Sequence, residues 1–145
     1  MDFMSALDIS ASGMKAQRTY MNVISMNLAN VKTTRTPEGG AYQRKSVAFA
    51  ASPVFNPFDK EMENAENREL KGVIVRGIVA DKRPMKMVHE PGHPDADKEG
   101  YVKYPDINVV EEMANMITTM RSYEANVQAI QDTKAMFNKA LQIAR

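Results

Sequence analysis

The stretch that begins at Asn108 limits what this chain can fold into more than any other. Val109, Met113, Met116, Met120, Tyr123, Val127, Ile130, Phe137, Leu141 and Ala144 follow steps of three and four residues, with Lys134 the one interruption. Such steps keep side chains on one side of a slightly supercoiled helix. Asn108 has the short oxygen-bearing side chain of an N-cap, and Glu111 stands three residues on to return a hydrogen bond. A helix from here to the end is roughly 55 Å long. A chain of 145 residues cannot bury that whole length in its own core.

The amino-terminal segment has the same character. Leu7, Met14, Met21 and Leu28 recur at intervals of seven, with Ile24 and Val31 adding to a second column that Ser10 and Gln17 make impure. This spacing predicts a helix from Ser5 to about Asn30. Ser5-Ala6-Leu7-Asp8 reads as a loose capping box, Asn30 as a C-terminal cap, and Thr33, Thr34 and Pro37 as the close. The two end helices are expected to pack as an antiparallel or crossed pair, part of each stripe being left for other subunits. The twelve methionines suit such surfaces, because a flexible thioether adapts to a partner.

Between the ends the periodicity changes. Tyr42 to Phe49, Val73 to Ala80, Met85 to His89 and Tyr101 to Tyr104 read as short strands, with a bulge or close approach at Gly77. Pro37-Glu38-Gly39-Gly40 reads as a turn. Asn56 to Lys71 is crowded with charge (Asp59, Glu61, Glu63, Glu66, Arg68) and reads as a mobile loop. The fold class is therefore α+β: long terminal helices forming a coiled-coil-like pair over residues 1–32 and 104–145, with a small β-rich middle over 33–103.

Composition removes several functions. There is no cysteine, so thiol catalysis, disulfides and thiolate metal sites are excluded. A formal charge of +1 gives no electrostatic case for nucleic acid or an anionic membrane. No apolar run is long enough to span a bilayer, and Met1-Asp2-Phe3 lacks the basic start of a secretory signal. Taken alone, these features describe a soluble protein that stays where it is made.

Two motifs suggest metals. His89-Glu90-Pro91-Gly92-His93 matches H-E-x-x-H, which holds zinc when both imidazoles share a helical face. Pro91 and Pro94 oppose a helix here, no third histidine exists, and Pro91-Gly92 has the central residues of a type II turn. Asp95, Asp97, Glu99, Gly100 and Asp106 occupy positions of a calcium loop. However, Asp106 is short for bidentate ligation, and Pro91 and Pro94 preclude an entering helix. A stiff acidic turn accounts for the stretch better than a metal site. No nucleophile elbow, phosphate loop or dinucleotide fingerprint is present. Lys32, Arg35, Arg44 and Lys45 form a small basic cluster that reads as a solvated face.

Three segments carry a family resemblance. Asn27-Leu28-Ala29-Asn30, Thr33 to Pro37 and Gly40 to Lys45 resemble the amino-terminal signature of bacterial flagellar rod and hook axial proteins. Glu112-Met113 and Arg121-Ser122-Tyr123-Glu124-Ala125-Asn126-Val127 are similar to the carboxyl-terminal signature of that family. Pro91-Gly92-His93-Pro94-Asp95-Ala96-Asp97, with Gly100-Tyr101-Val102 and Tyr104-Pro105, looks like a segment peculiar to a short proximal rod subunit. Met26 and Thr118-Thr119-Met120 depart from the usual smaller residues. The resemblance implies a structural, non-enzymatic subunit without cofactor or small-molecule substrate. Such a subunit is exported by the flagellar type III apparatus without a cleaved signal. It polymerises with copies of itself and other rod proteins into a periplasmic helical tube that transmits torque and encloses the export channel. The columns Leu7, Met14, Met21, Leu28 and Met113, Met116, Met120, Tyr123, Val127, Ile130, Phe137, Leu141 are then the expected assembly stripes.

Overall fold

A computed structural model describes residues 3–53 and 70–143. The acidic loop expected at Asn56 to Lys71 and the last stripe residue, Ala144, lie largely or wholly outside these. The architecture is α+β: a 27-residue helix α1 (Phe3–Ala29), strands β1 (Lys45–Pro53), β2 (Lys71–Ala80), β3 (Lys86–His89) and β4 (Tyr101–Tyr104), and a 35-residue helix α2 (Val109–Ile143). At 1.5 Å per residue the helices are about 40 and 52 Å long.

The helices run antiparallel in one register. The rings of Phe3 and Phe137 stack at 4.6 Å at one end. Gly13 lies against Asn126 in the middle, and Asn27 bonds Glu112 at the other end. A Cβ on Gly13 would come within 3.1 Å of the Asn126 amide, so the small residue sets how closely the helices approach. The buried side of α1 is Ala16, Val23, Ile24 and Asn27; that of α2 is Glu112 and Thr119. The buried side thus mixes small and polar residues with Val23 and Ile24, the latter fully buried. The heptad columns of Leu7 and Met113 flank it.

Local capping differs from expectation at the first helix. Phe3 and Met4 are already helical, so Ser5 lies inside the first turn and does not cap it. The Phe3–Phe137 stack gives the earlier residues a reason to join. At the other end the Asn30 side-chain amide donates to the Met26 carbonyl (2.8 Å), and Thr33 donates its hydroxyl to Asn30. Asn108 does cap α2, its side-chain oxygen accepting from the Val110 N–H at 3.1 Å.

Two antiparallel hairpins complete the chain. β1 pairs with β2 over Lys45↔Ala80 to Pro53↔Lys71, with a register shift that leaves Arg76 unpaired beside Gly77, where a bulge was expected. The first strand starts at Lys45, not Tyr42, because Tyr42 and Arg44 are drawn into a polar cluster described below. This hairpin lies along α1: the Val73 N–H donates to Ser12 Oγ at 3.0 Å, and Tyr20 meets Phe49 edge-on. β3 pairs with β4 in a shorter hairpin, Lys86↔Tyr104 to His89↔Tyr101. The Pro37–Gly40 turn is closed by Thr36 and Gly40, with Gly39 and Gly40 at positive φ.

Candidate functional site

The most buried polar residues meet where both helices and the longer hairpin converge. Asn27, 1% exposed, uses every hydrogen-bonding position of its amide. Its Nδ2 donates to the Lys45 carbonyl (2.8 Å) and to Glu112 Oε2 (3.1 Å). Its Oδ1 accepts from Tyr42 Oη (3.1 Å) and from the Lys45 N–H (2.9 Å). Glu112, also 1% exposed, receives the Arg44 guanidinium through Nε (2.8 Å) and Nη2 (2.6 Å) on one oxygen. Charge then alternates outward. Arg44 reaches Asp81 at 3.3 Å, Asp81 accepts from Arg83 Nε at 2.8 Å, and Arg83 lies 3.9 Å from Asp106.

Chain order explains the convergence. Arg44 and Asp81 immediately flank the first hairpin, and the Asp81 N–H donates to the Arg44 carbonyl at 2.7 Å. The cluster is therefore the hairpin's root. Arg44, read from sequence as part of a solvated basic face, is instead an inward ion-pair partner, since Glu112 is desolvated and requires a cation. The hydrogen bond from Arg83 holds the Asp81 carboxyl below its usual range, helped by the Arg83 and Arg44 charges against some desolvation. Burial, and secondarily the Glu112 charge, push the Tyr42 phenol up, which keeps it a neutral donor. A small cavity of about 10 Å³ lies beside these groups, lined by Tyr42, Arg44, Asp81, Arg83, Pro105 and Asp106.

The motif residues from His89 to Asp97 form the tip of the second hairpin. The His93 N–H donates to the Glu90 carbonyl (3.1 Å) across Pro91-Gly92. Gly92 does not have the positive φ of a type II turn, so that expectation is corrected. The positive φ falls on Gly100 (80°), whose Cβ would stand 3.0 Å from His89 Nε2. His93 Nδ1 accepts from the Asp95 N–H, Asp97 Oδ1 accepts from the Glu99 and Tyr101 N–H groups, and Asp95 Oδ2 accepts from Thr34. Tyr104 donates to Glu90, which pushes its phenol up. These side chains are thus occupied in shaping the hairpin and fastening it to the loop after α1. Among the described residues no three histidines or carboxylates are grouped to hold a metal ion.

The apolar columns sort by their position around the helical pair. Leu7, Met14, Met21 and Leu28 are half-buried, and Met14 and Leu28 lie one residue past the seam residues Gly13 and Asn27. Met113, Met120 and Val127 likewise lie one residue past Glu112, Thr119 and Asn126. Stepping one residue forward turns about 100°, and in antiparallel helices this leads to the same side of the pair. Ser12, which holds the first hairpin, is one residue before Gly13 and so lies on the opposite side. One side of the pair therefore carries the hairpin. The other carries an uncovered apolar strip in which Met113 is 54%, Met120 46% and Leu141 53% exposed. Met116, Tyr123 and Ile130 are half-buried, and Phe137 stacks on Phe3 of α1. Of the signature residues, Asn27 is in the buried cluster and Asn126 at the seam, while Ala29, Pro91, Gly92, Pro94 and Asp95 are exposed. Sequence reasoning missed the Arg44–Glu112 pair, whose members are 68 residues apart. The one local cue was Asp81-x-Arg83 at a strand end.

A family model described as "Flagella basal body rod protein" matches residues 7–35, and one described as "Flagellar basal body rod FlgEFG protein C-terminal" matches residues 98–143. The chain is similar to several proteins named flagellar basal-body rod protein FlgC. That of Borreliella burgdorferi is 43% identical over 99% of this chain and 98% of its own length. That of Bacillus subtilis is 39% identical over 97% of each, and that of Salmonella typhimurium 34% identical over the whole of both.

Proposed function

Because the chain belongs to the FlgC family of flagellar basal-body rod proteins and is a structural subunit of the flagellar basal body, we propose that its uncovered apolar strip is the face that joins it to the rod. The carrying observation is the strip itself: Leu7, Met14, Met21, Leu28, Met113, Met120, Val127 and Leu141 on the side of the helical pair opposite the first hairpin. Heptad-spaced apolar columns receive other helices, so the strip fits the helical pairs of neighbouring rod subunits and of further copies. The terminal regions 1–32 and 104–145 form the assembling layer in this reading, and 33–103 an outer middle region. Contacts run head to tail, giving an open helical tube that carries torque and surrounds the export channel.

The subunit is non-enzymatic and uses no cofactor. It is exported through the flagellar type III apparatus without a cleaved signal and works in the periplasm; no helix among the described residues is long and apolar enough to cross a membrane. A strain lacking this chain tests the reading. It should be non-motile and yield basal bodies without a complete rod, and a tagged copy should restore motility and purify with basal bodies. Full rods without the chain would refute it.

A further inference from the structure

The apolar pattern of the two helices does not choose their relative position. Leu7, Met14, Met21 and Leu28 repeat at seven residues, as do Met113, Met120 and Val127. Sliding one helix past the other by one heptad lays each column against an equivalent one. What a slide does not preserve is the polar cluster. From the observed register, one such slide sets Asn27 opposite Thr119; the reverse slide sets Glu112 opposite Tyr20. Either takes Glu112 away from Asn27 and Arg44. Asn27 keeps Lys45 and Tyr42, and Arg44 keeps Asp81, on the hairpin fastened to α1. A buried carboxylate without its cation is costly.

We propose that Asn27, Arg44 and Glu112 act together as a register lock that selects one alignment of α1 and α2 and fixes the first hairpin to it. The lock has three parts on three elements. Asn27 marks the position on α1, Glu112 marks it on α2, and Arg44 at the hairpin root is held by both Glu112 and Asp81. Every buried side-chain nitrogen and oxygen among the described residues has a partner in this alignment. A single buried polar position fixes register in helical pairs by the same means, since wrong alignments strand it. The other anchors, Gly13–Asn126 and Phe3–Phe137, are steric or apolar and admit a shifted neighbour more readily.

The chain has no cysteine, so spin labels can be placed without background. Labels at Asp8→Cys and Ala114→Cys, both exposed, lie far apart along the pair and report sliding by pulsed electron resonance. The unaltered lock should give one narrow distance. The triple variant Asn27→Leu, Arg44→Met, Glu112→Leu removes polarity but keeps bulk, and should add a second distance shifted by about 10 Å, the length of one heptad. A single unchanged distance in that variant overturns the lock. Hydrogen exchange on the unaltered chain gives an independent reading that does not depend on the variant folding. Protection along α1 should be greatest near Asn27 and fall toward Phe3; the reverse gradient also overturns the proposal.

Discussion

Asn27 and Glu112 show why a side chain's neighbours, and not its type, decide its role. A carboxylate at 1% exposure is unfavourable unless a cation meets it, and Arg44 does so with two nitrogens on one oxygen. Removing the cation by Arg44→Ala strands the charge. It should cost about 3 kcal/mol in urea unfolding, the usual order for breaking a buried pair from one side. Asp81 gives a prediction in pH. Its folded value lies below 3.8, its ordinary one, so its stabilisation is present above about 3.8 and is lost as pH falls through the lower folded value. An NMR titration should find its midpoint below 3.8, and Arg83→Ala should move it up toward that value. None of this network was legible in sequence. Arg44 stood among other basic residues and looked solvated, because its partner is 68 positions away. Asn27 drew notice only through its family signature.

The elements were more legible than their contacts. Periodicity located both helices, and the change of pattern between them located four short strands, because 3.6- and 2-residue patterns are written locally. Which residues bring the helices together was not legible. The heptad column Leu7, Met14, Met21 and Leu28 was read as an assembly stripe, and two residues that meet α2, Gly13 and Asn27, each lie one position before a member of it. At Gly13 the close approach depends on the missing side chain. Gly13 tests this. Gly13→Val places branched carbon where a single Cβ already stands 3.1 Å from the Asn126 amide, and should destabilise by about 1–3 kcal/mol, seen as a lower thermal midpoint. The turn at Pro91-Gly92 was placed correctly but typed wrongly. Its composition permits type II, while the hairpin puts its positive φ at Gly100.

At the scale of the whole molecule, little apolar surface is hidden. Among the described residues the buried hydrophobics are Ala16, Val23, Ile24, Ala41, Tyr42 and Val102, while Met113, Ile117, Met120, Phe137 and Leu141 remain about half exposed. An exposed apolar strip of this kind is the basis for the proposed interaction surface, and membership of a rod-protein family gives it neighbours to meet. Stripe length already announced a surplus of apolar helix. Only the antiparallel register and the hairpin's place on Ser12 could show which side keeps it. The most direct test is Met120→Asp, expressed in cells that lack the native chain, with circular dichroism of the purified variant. A charge there faces outward in the monomer, so helicity should be unchanged. Desolvating it at an interface is costly, so the cells should be non-motile and form no complete rod. Motile cells carrying a folded Met120→Asp chain would contradict the account.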